Sequence, residues 1–313
     1  MFEITPYTPD QKSRWNDFVR RSKNSTFLHN RDYMDYHADR FDDASLLVWQ
    51  KGRLAALLPF NREADGRVVS HGGLTYGGLL LDDRATAENV CEMFAQINKS
   101  LKSMGMVGVI YKPVPQIYHL MPAEEDLYAI FNCCNARLVR REISSTIAQQ
   151  MPIRFAESRQ SGLRKARNRE ISIQQSTNYA AFWDILSKNL ADRYNTVPVH
   201  SLAEICRLAE AFPANIKLYM AYQNEMPLGG TVVYETPQIV HTQYISASPV
   251  GKQLGALDLL FHRLVREVYK DVPYFDFGTS TIDGGSGLNS SLIFQKEGFG
   301  GRGICYDTYE WDL

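Results

Sequence analysis

No apolar run in the sequence approaches the ~20 residues needed to cross a bilayer, so no membrane-spanning helix is expected. Neither charge is in surplus: 34 Lys and Arg against 35 Asp and Glu leave a formal net charge of −1. A whole-protein attraction to nucleic acid or to an anionic membrane is therefore not implied. Cysteine is sparse and odd in number, five in 313 residues, with no spacing of metal-ligand type. Cys133 and Cys134 are adjacent on a predicted helix, which points to reduced core thiols and an intracellular setting. The opening residues, MFEITPYTPD, lack the basic start and apolar stretch of a secretory signal. These absences lead us to expect a cytoplasmic protein with no membrane span and no metal, and the length suffices for two domains.

The richest stretch of what is present runs from Ile216 to Ser280. IKLYMAYQ, PLGGTVVYE and IVHTQYISAS read as three strands, PVGKQLGA as a glycine-bearing loop, LDLLFHRLVREVYKD as an amphipathic helix, and YFDFGTS as a buried strand. A glycine loop entering a helix is a natural anion site, because the first N–H groups of a helix lack intrahelical partners. The first half follows a similar order. SLLVWQKGRLAALLPF reads as a hairpin and RVVSHGGLTYGGLLLD as a strand broken by two Gly pairs. There His71, beside Gly72, signals the close approach of a backbone or ligand. Val90, Met93, Phe94, Ile97, Leu101 and Met104 then step along one helical face. Gln149–Pro152 marks a boundary. Beyond it Arg154, Arg159, Arg164, Lys165, Arg167 and Arg169 stand against Glu157 and Glu170, six minus two giving a net of +4. The fold class expected is α+β (mixed α/β), with two similar domains, 1–150 and 151–313.

The hairpin, strand and loop leading into an amphipathic helix resemble the GNAT N-acetyltransferase fold. The C-terminal half is similar to the FemAB/FemX branch in three places: Tyr274–Gly278 (YFDFG), Phe294–Gly301 (FQKEGFGG), and the basic run Gly162–Arg167 followed by Ile171–Ile173. That branch consists of tandem GNAT-like domains that join amino acids from aminoacyl-tRNA to peptidoglycan precursors, together with related acyltransferases. The resemblance implies two tandem GNAT-like domains, each a mostly antiparallel mixed sheet flanked by helices, with the donor site in the second. The phosphate loop of acetyltransferases reads Gln/Arg-x-x-Gly-x-Gly/Ala. A frame ending at Gly255 puts Gln253 where the first Gly belongs, and one ending at Ala256 puts Leu254 there. The coiled-coil hairpin common in tRNA-binding members has no counterpart among the charged heptads here.

Acyl transfer to an amine needs a held donor, a polarised carbonyl oxygen and a sink for the amine proton. No covalent enzyme intermediate is required. The loop residues Gly251, Lys252, Gln253, Leu254, Gly255 and Ala256 are candidates to cradle the phosphates of acetyl-CoA or another acyl-CoA; otherwise they form a tight turn with a helix cap. His241 is the candidate base, since imidazole titrates near neutral pH, against the ordinary role of a hydrogen-bonded strand histidine. Strict alternation places His241 and Gln243 on one strand face and Tyr244 on the other, and either face suits a substrate cleft. Asp276 either pairs structurally or orients the amine. The resemblance places Lys296 near the reaction centre; otherwise it is a surface lysine. Arg164, Lys165 and Arg167 bind a phosphorylated substrate or form a solvated helix face, and Tyr194, before a Pro-containing turn, reaches toward the same cleft. The activity expected is N-acyl transfer to a small-molecule or cell-envelope precursor amine. The alternatives are a FemX-like aminoacyltransferase using aminoacyl-tRNA on a peptidoglycan precursor, and a non-catalytic binding module.

Overall fold

A computed structural model describes residues 1–313, the side chains of Tyr194 and Asp283 excepted. The chain divides into two units. Unit 1 comprises Met1–Glu142, Asp283–Ser286 and Cys305–Leu313; unit 2 comprises Ile143–Ile282 and Gly287–Ile304. The expected break near residue 150 thus falls at Glu142, and the last nine residues join unit 1. The reason is strand pairing: Tyr309 and Trp311 pair with Tyr111 and Val109, and Trp311 packs against Phe94 and Tyr111.

Unit 1 begins with β1 (Glu3–Pro6) and α1 (Lys12–Arg21), followed by the hairpin β2 (Leu46–Gln50) and β3 (Arg53–Leu58). Next come β4 (Arg67–Val69), β5 (Leu80–Leu81), α2 (Ala87–Ser103), β6 (Gly108–Tyr111) and α3 (Glu125–Cys134). The segment read as one interrupted strand is in fact β4 and β5 with a loop between them. Its glycines admit the chain's own groups: a Cβ on Gly73 would lie 2.1 Å from His37 Nε2, and one on Gly77 2.4 Å from the Ser70 carbonyl oxygen. One sheet has the order β1-β2-β3-β5, while β6 pairs in parallel with β4. α2 starts where Thr86 accepts the Asn89 N–H, and it buries Val90, Met93, Phe94, Ile97 and Leu101. Those positions are five of the six in the predicted stripe, a helical period with one apolar side, whereas Met104 falls past the helix end and is exposed.

Unit 2 takes the end of β7 (Arg137–Ala148) and then α4 (Glu157–Asn168), β8 (Ser172–Ser176), α5 (Tyr179–Tyr194) and α6 (Leu202–Ala211). The strands β9 (Ile216–Gln223), β10 (Met226–Glu235) and β11 (Ile239–Ala247) form an antiparallel meander. Two helices, α7 (Pro249–Leu254) and α8 (Ala256–Arg263), lead to β12 (Tyr274–Thr279), α9 (Ser290–Gly298) and β13 (Arg302–Asp312). The sheet order in this unit is β8-β9-β10-β11-β12-β7, antiparallel except for β11 against β12. A parallel pair requires a crossover, here supplied by α7 and α8. α8 packs Leu260 and Phe261, followed by Leu264 just past its end, into a core with Val233, Val240, Phe275 and Phe277. No helix among the described residues is long and apolar enough to cross a membrane.

Candidate active site

The parallel ladder between β11 and β12 is short. Ile239, Val240 and His241 pair with Tyr274, Phe275 and Asp276, and the pairing ends there. β11 nevertheless continues to Ala247 and β12 to Thr279, so the two strands part and leave β11 with an unpaired edge. Gly278, at φ +75°, turns β12 away at this point, and a Cβ there would come within 3.2 Å of His241 Cε1. A cleft of about 570 Å³ opens at the divergence. Its walls are Ile245 to Ala247 of β11, Phe277 of β12, Leu186, Asn189, Leu190 and Arg193 of α5, the α7–α8 junction, and Lys296 and Phe299 at the end of α9.

His241 stands at the foot of the split. Its Nδ1 lies 2.7 Å from Asp276 Oδ2. Asp276 is fully buried and also accepts from Ser144 Oγ, from Thr146 Oγ1 at 2.6 Å and from the Gly278 N–H at 3.2 Å. Burial alone would raise this carboxyl; the donors, His241 foremost, outweigh it and hold the group below the usual carboxylate value. With Nδ1–H donated to Asp276, Nε2 of His241 is the nitrogen able to accept a proton. His241 does not itself line the cleft.

The expected alternation along β11 is broken. Tyr234 pairs with His241, Val233 with Thr242 and Val232 with Tyr244, so Gln243 is an extra residue in a bulge. Tyr234 and Val232 share a face, which turns Tyr244 to the face of His241 and corrects the expectation that the two oppose each other. Tyr244 packs edge-on to Trp183 and lies 2.6 Å from His200 Nδ1 through its hydroxyl. Burial pushes that phenol up to about 12.

Lys296 is no surface lysine. It is buried, lines the cleft, and donates to the Gly278 and Thr279 carbonyls at 2.8 and 2.7 Å. Burial lowers its ammonium to about 8, with Asp276 acting in the opposite direction. The glycine loop is also less open than its composition implies, because it folds as α7. Ser248 caps that helix: its hydroxyl accepts the Gly251 N–H at 3.0 Å and its carbonyl the Lys252 N–H at 2.9 Å. Gly255 then takes φ +75° to start α8. Gly251, Lys252, Gly255 and Ala256 line the cleft, whereas Gln253 and Leu254 are not among its lining residues. The same holds for the basic residues of α4 singled out from sequence. Arg164 pairs with Glu157 at 2.6 Å, Lys165 donates to the Gln253 carbonyl at 3.2 Å, and Arg167 is exposed. Arg159, one turn earlier, does line the cleft and pairs with Asp258 at 3.0 Å. The side chain of Tyr194 lies outside the described residues.

Residues 157–285 match the acetyltransferase (GNAT) domain family. FemX matches over 99% of this chain and 97% of its own, with 10% identity and a TM-score of 0.68. The C-terminal domain of a putative lysylphosphatidylglycerol synthetase from Agrobacterium fabrum matches over 96% and 91%, with 10% identity and a TM-score of 0.61. A tandem GNAT protein from the clavulanic acid biosynthesis pathway covers 100% and 98%, with 9% identity and a TM-score of 0.51. The fold is that of the tandem GNAT proteins. No curated protein matches the chain in sequence. Within the matched residues, the sequence reading missed Asn189 and Arg193. Their signal was present: both extend the apolar stripe Phe182, Trp183, Leu186, Leu190 of α5 at helical spacing.

Proposed function

We propose that unit 2 is an N-acyltransferase that binds an acyl donor in the β11–β12 cleft and passes the acyl group directly to an amine. The carrying observation is the split itself, an unpaired strand edge beside a buried lysine and a carboxylate-held histidine. The β11 edge offers backbone groups to an extended donor arm, as any open strand edge does. Lys296 places a positive charge where a carbonyl oxygen becomes negative during attack. His241 takes the amine proton on Nε2 and gives it up to the thiolate or ribose oxygen released as the donor's acyl bond breaks, while Asp276 fixes its tautomer and stabilises the imidazolium. Cationic lining residues suit a phosphorylated donor such as acetyl-CoA or another acyl-CoA. The acceptor is a small or cell-envelope precursor amine.

One observation favours an aminoacyl-RNA donor as the second reading. The N–H groups of Gly251 and Lys252 are already bonded to Ser248, so neither is free to bind a pyrophosphate. Acyl transfer from labelled acyl-CoAs and from charged tRNA to amine acceptors decides between them. We expect product with one donor class, reduced roughly a hundredfold by His241→Gln. The absence of transfer with every donor, together with no donor binding by calorimetry, would leave a non-catalytic module and end the proposal.

A further inference from the structure

Among the described residues, the ionisable ones lining the cleft are four cations, Arg159, Arg193, Lys252 and Lys296, and one acid, Asp258. Two of the cations are satisfied. Arg159 holds Asp258, and Lys296 is bound to two carbonyls. Arg193 and Lys252 have no carboxylate partner within ion-pair distance among the described residues. Lys252 rests instead on a neutral amide, its Nζ 2.9 Å from Asn189 Oδ1. Burial, and then the charge of Arg193, lowers the Lys252 ammonium, while Asp192 compensates in part. Two like charges lining one concave site are an unmet demand for an anion.

The place where a GNAT-type anion is usually sought is differently furnished. Asp258 occupies the first turn of α8, so a carboxylate already sits at the positive end of that helix. Its Oδ2 would lie 1.9 Å from a Cβ on Gly162, which seats the carboxylate against α4. Two of the loop N–H groups belong to Ser248. A phosphate arriving at the start of α7 would find these two donors spent, and one arriving at the start of α8 would meet a like charge.

We propose that the donor's phosphoryl group is bound by Arg193 and Lys252, on the α5 wall of the cleft, and that Asn189 positions the lysine. This rests on the acyl-donor reading above. Asn189 suits the task because its amide is fully used: Nδ2 donates to Ser246 Oγ at 2.6 Å and to the Ala247 carbonyl at 2.8 Å, while Oδ1 receives Lys252. One side chain thus ties α5 to the end of β11 and holds the lysine against the same helix that carries Arg193. The guanidinium grips two phosphate oxygens, and the ammonium, with three donors, holds a third while keeping Asn189. The ligand class is a phosphate ester or anhydride, supplied by coenzyme A or by the 3′ end of an RNA.

The test compares wild type with Arg193→Ala, Lys252→Ala and Arg193→Lys by titration calorimetry. Coenzyme A, pantetheine (which lacks every phosphate) and an RNA hairpin with a single-stranded CCA end serve as probes. Unchanged thermal unfolding confirms that each variant is folded. Whichever phosphorylated probe binds wild type should weaken roughly ten- to a hundredfold with either alanine, regain affinity with Arg193→Lys, and weaken with added salt. Equal affinity of wild type and variants for that probe overturns the subsite and leaves the donor reading standing. So does a parallel loss for pantetheine. Failure of both phosphorylated probes to bind wild type overturns the donor reading itself, and the subsite with it.

Discussion

The two units use one element order for opposite ends. In unit 2 a hairpin, a strand, a helix and a further strand build an open cleft between β11 and β12. Unit 1 repeats that order with β2, β3, β5, α2 and β6, yet its corresponding edge is filled by its own chain. Lys23 N–H and Ser22 Oγ both donate to the Leu81 carbonyl at 2.8 Å. Asn24 binds β5 twice, donating to the Leu79 carbonyl and accepting the Leu81 N–H, each at 2.9 Å. The Tyr111 hydroxyl accepts the Leu79 N–H at 2.7 Å and donates to Asp126 at 2.6 Å. Whether such an edge stays open or is filled is therefore decided by a few side chains laid across it, and not by the topology.

The sharpest way to break this comparison uses two lysines in similar environments. Lys112 of unit 1 donates to the His71 and Leu74 carbonyls at 2.9 and 2.6 Å, and burial lowers its ammonium to about 8, as for Lys296. Lys112→Met and Lys296→Met should each cost about 1–3 kcal/mol of stability, because each leaves two carbonyls without a donor. Only Lys296→Met should slow acyl transfer, by about a hundredfold. Equal effects on transfer would mean that Lys296 is structural. Both lysines have folded values below the usual 10.5, so the unfolded chain holds more protons between pH 8 and 10.5. Stability should rise with pH across that window in wild type, and less in either variant.

The second prediction concerns the strand edge. Asn24→Ala removes the partners of the Leu79 carbonyl and Leu81 N–H, both buried. A cost of about 2–4 kcal/mol in urea unfolding follows. A cost below ~1 kcal/mol would show that water replaces the amide and that the plug is incidental.

Much of this contrast was legible in the sequence, and the remainder shows where periodicity stops informing. The stripe of α2 and the helix α8 followed from apolar spacing, which burial enforces. The β11 bulge did not, because one inserted residue leaves the composition of IVHTQYISAS unchanged while reversing which face Tyr244 takes. PVGKQLGA reads as an open glycine loop, but Ser248 before Pro249 is equally a helix start, and the cap prevailed. Lys296 carries no local signal of burial. Its place depends on two carbonyls freed where Gly278 turns β12, a contact nearly twenty residues away in sequence. Asn189 and Arg193 lay in plain view at the end of an apolar stripe, but their use emerged only once the end of β11 was set against α5.

The smallest effect expected is one of pH, and it separates the two buried aspartates. Asp276 in unit 2 is held below the ordinary 3.8, so its contribution is present above that value and is lost as pH falls beneath it. Asp126 in unit 1 goes the other way. Burial raises it to about 6 against the opposing Tyr111 and Leu127 donors. Folding then takes up a proton between about pH 6 and 4, and this group favours the folded unit more as the solution becomes acidic. From these values the gain between pH 7 and 4.5 is about 2 kcal/mol. His29 and His71 oppose it, since burial lowers them to about 4 and about 2 and the unfolded chain gains protons first as pH falls through 6.5. The informative quantity is therefore the difference between wild type and Asp126→Asn in urea unfolding at the two pH values. The amide oxygen still accepts from Tyr111 but cannot titrate, so the difference should shift by that amount in favour of wild type at pH 4.5. A difference independent of pH would mean that Asp126 is ionised in the fold at neutral pH without penalty, and that the plugged edge of unit 1 is as well solvated as the open one of unit 2.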